Sequence, residues 1–87
     1  MITSKDLDAI SGYVRNGFGS LGIVSGKPAI VDDGSVEVNC YGIDPGDVDV
    51  AADRIAQAMG RKGWDVDVWV DEWTGNLKID DKEHEVQ

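Results

Sequence analysis

The chain has 87 residues, with 17 acidic against 8 basic side chains and a formal net charge of −9 at pH 7. Eighty-seven residues support one hydrophobic core, which excludes a cofactor domain paired with a substrate domain. The acidity argues against direct contact with nucleic acid or an anionic membrane, since each requires a basic surface.

Thr3 and Ser4 are good N-cap residues, and Asp6 and Asp8 follow where the helix dipole favours carboxylates. Leu7, Ile10, Val14 and Phe18 recur at helical spacing with Tyr13 beside them, which predicts an amphipathic first helix. The glycine cluster Gly17, Gly19 and Gly22 is expected to end it by supplying C-cap conformations. Lys27 to Val31 reads as a short strand with Pro28 at its start, and Asp32-Asp33-Gly34 as a hairpin turn. From Ser35 to Tyr41 the residues alternate, Val36, Val38 and Cys40 against Glu37, Asn39 and Tyr41.

Gly42 to Gly46 is a loop, and Asp44 or Asp47 caps a second helix with the stripe Val48, Ala51, Ala52, Ile55 and Met59. Arg61 and Lys62 complement its dipole and Gly63 terminates it. Trp64 to Trp73 is the strongest strand pattern, with Trp64, Val66, Val68 and Val70 on one face. Gly75-Asn76 is expected to form a two-residue turn into Leu77-Lys78-Ile79. An even-numbered turn keeps Leu77 and Ile79 on the face of Val70. The fold class is therefore α+β: α-β-β-α-β-β, a four-stranded antiparallel sheet with both helices on one face. Residues 1–80 form the domain, and the polar stretch 81–87 is expected to fray.

A shift of 41 residues maps Leu7 onto Val48, Val14 onto Ile55, Phe18 onto Met59, Val36 onto Leu77 and Val38 onto Ile79. It also maps Asp6, Asp8, Gly22 and Gly34 onto identical residues. Two helix–hairpin units resemble each other for physical reasons alone, so the pattern does not by itself separate duplication from shared physics.

One cysteine, Cys40, allows no intramolecular disulfide. The first residues lack the basic start and apolar run of a signal peptide, and no apolar run reaches the ~18 residues of a membrane span. A cytoplasmic location is the expectation.

Catalytic signals are weak. Gly17-Phe18-Gly19-Ser20-Leu21-Gly22 matches G-x-G-x-x-G, but a helix precedes it and a strand follows, the reverse of a dinucleotide site. The one histidine, His84, lies in the polar tail, and Cys40 falls on an apolar strand face. Asp44, Asp47 and Asp49 are explained by helix capping and lack EF-hand spacing. No enzyme activity, cofactor or metal is expected.

The outer face of the Trp64–Trp73 segment carries Asp65, Asp67, Trp69, Asp71 and Trp73 in alternation. Tryptophan placed there is a typical interface anchor, and Ile30 and Tyr41 are expected on the same outer sheet face. Charge is uneven as well, with five acids against three bases in residues 1–43 and twelve against five in residues 44–87. Carboxylates at alternate strand positions lie about 6.6 Å apart, near the rise of two successive phosphates on one DNA strand. Asp65, Asp67, Trp69, Asp71 and Trp73, joined by Asp80 and with Lys78 as neighbour, are thus the candidate partner-binding residues.

The expected function is a protein-binding module that inhibits a basic, nucleic-acid-binding protein by partial nucleic-acid mimicry. In size and charge alone it resembles small acidic phage inhibitors, anti-CRISPR proteins among them, and no motif of such a family is present. The alternative is a self-assembling or accessory structural subunit that uses the tryptophan-bearing face, a homo-oligomer included.

Overall fold

A computed structural model describes residues 2–82. The order is α1 (Leu7–Gly19), β1 (Pro28–Ile30), β2 (Val36–Val38), α2 (Pro45–Arg61), β3 (Val66–Val70) and β4 (Leu77–Asp81). The strands form one antiparallel sheet in the order β1-β2-β4-β3, which makes β1 and β3 its edges.

Each helix begins where the cap residues dictate. The N–H of Thr3 donates to Asp6 Oδ2 at 2.9 Å, and a 3-10 turn over Ser4–Asp6 leads into α1. Asp44 is the cap of α2, its Oδ1 accepting the N–H of Gly46 at 2.8 Å, with Pro45 in the first turn where a missing donor costs nothing. Each helix ends in a six-residue closure at a left-handed glycine. Ile23 N–H donates to Phe18 O beside Gly22 (φ 73), and Trp64 N–H donates to Met59 O beside Gly63 (φ 82), both at 3.0 Å.

One core joins the helices to the sheet. Ile10, Val14 and Phe18 of α1 and Val48, Ala51, Ile55 and Met59 of α2 are buried with Val36, Val38, Leu77 and Ile79. Burying each of these larger side chains contributes roughly 1.5–3 kcal/mol before entropy is counted. The helices run antiparallel. Gly17, late in α1, lies against Ala51 and Ile55, whereas Tyr13, one turn earlier, stacks edge-on against Trp64 just past the end of α2, ring centroids 6.3 Å apart. Gly17 is inside the helix, not at its cap. A Cβ there would sit 2.6 Å from Ile55 Cγ1, so glycine at this position sets how closely the helices approach.

The 41-residue repeat extends to the hydrogen bonds. Leu21 and Gly22 N–H donate to Phe18 and Gly19 O, and Lys62 and Gly63 N–H donate to Met59 and Gly60 O. The caps Thr3 and Asp44 correspond as well, as do the left-handed turn glycines Gly34 (φ 86) and Gly75 (φ 73). The central ladder is symmetric under the same shift: Val36 faces Ile79, Val38 faces Leu77, and Glu37 faces Lys78, its own counterpart. The two α-β-β units are therefore related by a pseudo-twofold axis through the Glu37–Lys78 pair.

Four expectations are corrected. The third strand runs over Val66–Val70, not from Trp64 to Trp73. The hairpin that follows is a six-residue loop over residues 71–76, not a two-residue turn, because Val70 pairs directly with Leu77. Asp71 closes this loop by donating to Asn76 O at 2.9 Å and accepting from Gly75 N–H at 2.8 Å. Six is even, so the expected facing of Leu77 and Ile79 with Val70 and Val68 survives. Ile30 pairs with Val36 and so belongs to the core side of edge strand β1, half exposed at its margin. At the C-terminus, Asp81 still pairs with Val66, which carries the sheet one residue into the stretch expected to fray. Residues 83–87 of that stretch, with His84, lie outside the described residues.

No helix among the described residues is long and apolar enough to cross a membrane.

Candidate functional site

The sheet face turned away from the helices is defined by its register. Ala29, Glu37, Lys78 and Trp69 form one row across all four strands, and Asp67 and Asp80 face each other in a second row. The centre of this face is a closed polar network. Lys78 is only 8% exposed, and its Nζ donates to Asp33 Oδ2 at 3.1 Å. Asp33 Oδ1 accepts from both the N–H (2.9 Å) and the hydroxyl (2.5 Å) of buried Ser35. The Ser35 donors and Lys78 together hold the Asp33 carboxyl well below the usual range, at about 2.

The seven candidate residues do not form one row. Asp65 precedes β3, exposed, with its Oδ1 3.2 Å from Lys82 Nζ. Asp67 is half buried in β3. Asp80, opposite it, is 7% exposed, and its Oδ1 accepts the N–H of Asp81 at 2.8 Å. Asp71 lies past the strand end, and its Oδ1 accepts the N–H of Trp73 at 2.8 Å, so this carboxylate braces the loop. The row of Asp65, Asp67 and Asp71 joined by Asp80 is thus not formed, because the strand stops before Asp71 and Asp80 is buried. Lys78, expected beside the binding row, is buried and engaged by Asp33.

The two tryptophans are also separated. Trp69 is 37% exposed, directly across from Lys78. Trp73 stands on the β3–β4 loop, 96% exposed. The loop is pinned through Asn76, whose Oδ1 accepts the N–H of Cys40, two residues past the end of β2, at 3.0 Å. Tyr41, the next residue after Cys40, is also 96% exposed, so two uncovered aromatic residues flank this tether. Sequence periodicity missed Asp33 and Asn76. Each acts across the chain, Asp33 on a residue 45 positions away and Asn76 on one 36 positions away, and no local pattern encodes such a contact.

Cys40 is buried, its Sγ donating to Val38 O at 3.3 Å, and burial pushes its thiol pKa up. It is expected to resist a thiol-reactive disulfide reagent in the native state and to react at once after denaturation. Rapid labelling of the folded protein would contradict its placement. Asp44 is engaged as a helix cap, and among the described residues no group of three or more histidine, cysteine or acidic side chains converges as for a metal. Comparison with protein-family models, with curated proteins and with solved structures finds no match.

Proposed function

We propose that this protein is an acidic protein-binding module that docks on a basic partner through Trp73. The observation that supports this reading is a tryptophan left 96% in water on a loop braced by its own hydrogen bonds. An indole held in water forfeits its hydrophobic stabilisation, and a braced loop spares the ordering cost on binding. Glu72 precedes it, Asp67 lies in edge strand β3 with Asp65 just before it, and the whole chain carries −9. A positively charged partner of the nucleic-acid-binding class is the complement of that surface. Partial mimicry of a nucleic-acid backbone then rests on overall charge and on the Asp65–Asp67 spacing, not on a long carboxylate row.

Self-assembly is less well supported. Edge strand β1 begins with Pro28, and edge strand β3 is flanked or lined by Asp65, Asp67 and Asp71, features that discourage pairing between copies.

The test is affinity capture of the tagged protein from a bacterial lysate, with low-salt and high-salt washes and competition by DNA. A basic nucleic-acid-binding protein should be retained at low salt, lost at high salt and displaced by DNA. Trp73→Ala should reduce its retention at least about tenfold while leaving the unfolding midpoint unchanged. Retention of only untagged copies of the same chain, stable to salt, would favour assembly instead. Full retention by Trp73→Ala would remove Trp73 as the anchor.

A further inference from the structure

The helix layer carries a feature opposite in sign to the rest of the molecule. A groove of about 350 Å³ runs between α1 and α2, and three of the chain's eight basic residues, Arg54, Arg61 and Lys62, line it. No acidic residue lines it, although acidic residues outnumber basic ones about two to one in the chain. Among the described residues none of the three cations has a carboxylate within ion-pair distance. The interspersed lining is of the kind that recognises polar ligands: the Asn16 and Gln57 amides and the Tyr13 ring.

One of the three cations is held in place. Ser20 Oγ donates to Gly17 O at 2.8 Å and accepts Arg54 Nη1 at 2.5 Å, which fixes one guanidinium at the end of α1. Arg61 and Lys62 stand at the end of α2, seven and eight residues further along, so the two cationic poles are separated by about 10 Å of helix. Gly17 and Ala58 also line the groove. Helix-dipole compensation accounts for a cation at the C-terminal end of each helix. It does not require that those cations share one carboxylate-free concavity with two amides and an aromatic ring.

We infer that this groove binds a phosphorylated small molecule, the phosphate at the Arg61–Lys62 end and the remaining body lying along Tyr13, Asn16 and Gln57 toward Arg54. A guanidinium fork beside an ammonium suits a multi-oxygen anion, and the volume falls in the range of small-molecule sites. The groove shares no residue with the loop that carries Trp73, so this inference stands apart from the protein-binding reading.

The experiment is an NMR titration of the intact protein with a nucleoside monophosphate and, in parallel, with the unphosphorylated nucleoside. The expected result is saturable shifts of the Asn16, Gln57 and Arg61 signals with the monophosphate and none with the nucleoside. Arg61→Ala/Lys62→Ala should weaken binding at least about tenfold. Ala58→Glu, which places a carboxylate in the lining, should abolish it while the thermal midpoint stays near that of the parent. Raising the ionic strength to about 0.15 M should weaken binding, since the groove is open to solvent. Equal shifts with nucleoside and monophosphate, shifts confined to other residues, or affinity unchanged in both variants would each overturn the inference.

Discussion

Replacing Gly17 by valine is expected to destabilise the fold by about 2–4 kcal/mol, a large share of the roughly 4–13 kcal/mol typical for a domain this size. The reason is the helix crossing. A Cβ at position 17 lies 2.6 Å from Ile55 Cγ1, 3.2 Å from its Cδ1 and 3.4 Å from the carbonyl oxygen of Ala51. Cγ1 is an inner atom of a fully buried side chain, so it cannot swing away without disturbing the core around it. Alanine at position 17 sets two effects against each other. Helix propensity improves by about 0.5–1 kcal/mol, whereas the contact forces α1 and α2 apart. The contact is expected to win, with a net loss of about 1 kcal/mol. Chemical denaturation of Gly17→Ala, Ile55→Ala and the double variant checks this directly. The double variant should lose less than the sum of the singles, because removing Cγ1 relieves the clash. Additive losses, or a Gly17→Val protein as stable as its parent, would show that the helices are not held at this distance.

Asp33→Ala should cost about 1–2 kcal/mol although the residue stands on an exposed turn. The substitution leaves two donors of buried Ser35 and the ammonium of buried Lys78 without their acceptor. Asp33→Asn keeps an oxygen for Ser35 and removes only the charge, so it should cost less. The pair of variants also separates a pH effect. The Asp33 carboxyl titrates at about 2 in the fold, below the ordinary aspartate value near 4. Its stabilisation is therefore complete above about pH 4 and is lost as pH falls through 4 towards 2. Unfolding free energies measured between pH 5 and pH 2 should fall for the parent more steeply than for Asp33→Asn. Parallel curves would mean that the Ser35–Lys78 network does not select the charged form.

Most of the scaffold was legible because it depends on local rules. The Thr3 and Asp44 caps, the left-handed Gly22 and Gly63, and the stripe from Val48 to Met59 each follow from a few neighbouring residues. Strand ends were less legible. Alternation continues from Val70 through Asp71 to Trp73, but Asp71 uses its carboxylate and both backbone groups to turn the chain, and periodicity carries no record of that competition. The candidate site suffered most, since a face assigned by alternation says nothing about what neighbouring strands cover. Asp80 and Lys78 sit on the outer face as expected, yet the central position of β4 buries both. Gly17 was misread for a related reason. A glycine in a cluster near a helix end looks like punctuation until the partner helix is in view.

The pair at the pseudo-twofold axis, Glu37 facing Lys78, has a consequence for how the halves choose each other. A ladder made from two copies of the first half would set Glu37 against Glu37, and one made from two copies of the second would set Lys78 against Lys78. Like charges directly opposite in a ladder are destabilising, whereas opposite charges there contribute about 0.2–1 kcal/mol. The one position that symmetry forces to meet its own counterpart is thus the position where the repeat departs from itself in sign. Each α-β-β unit is thereby biased to accept the other and to refuse its twin.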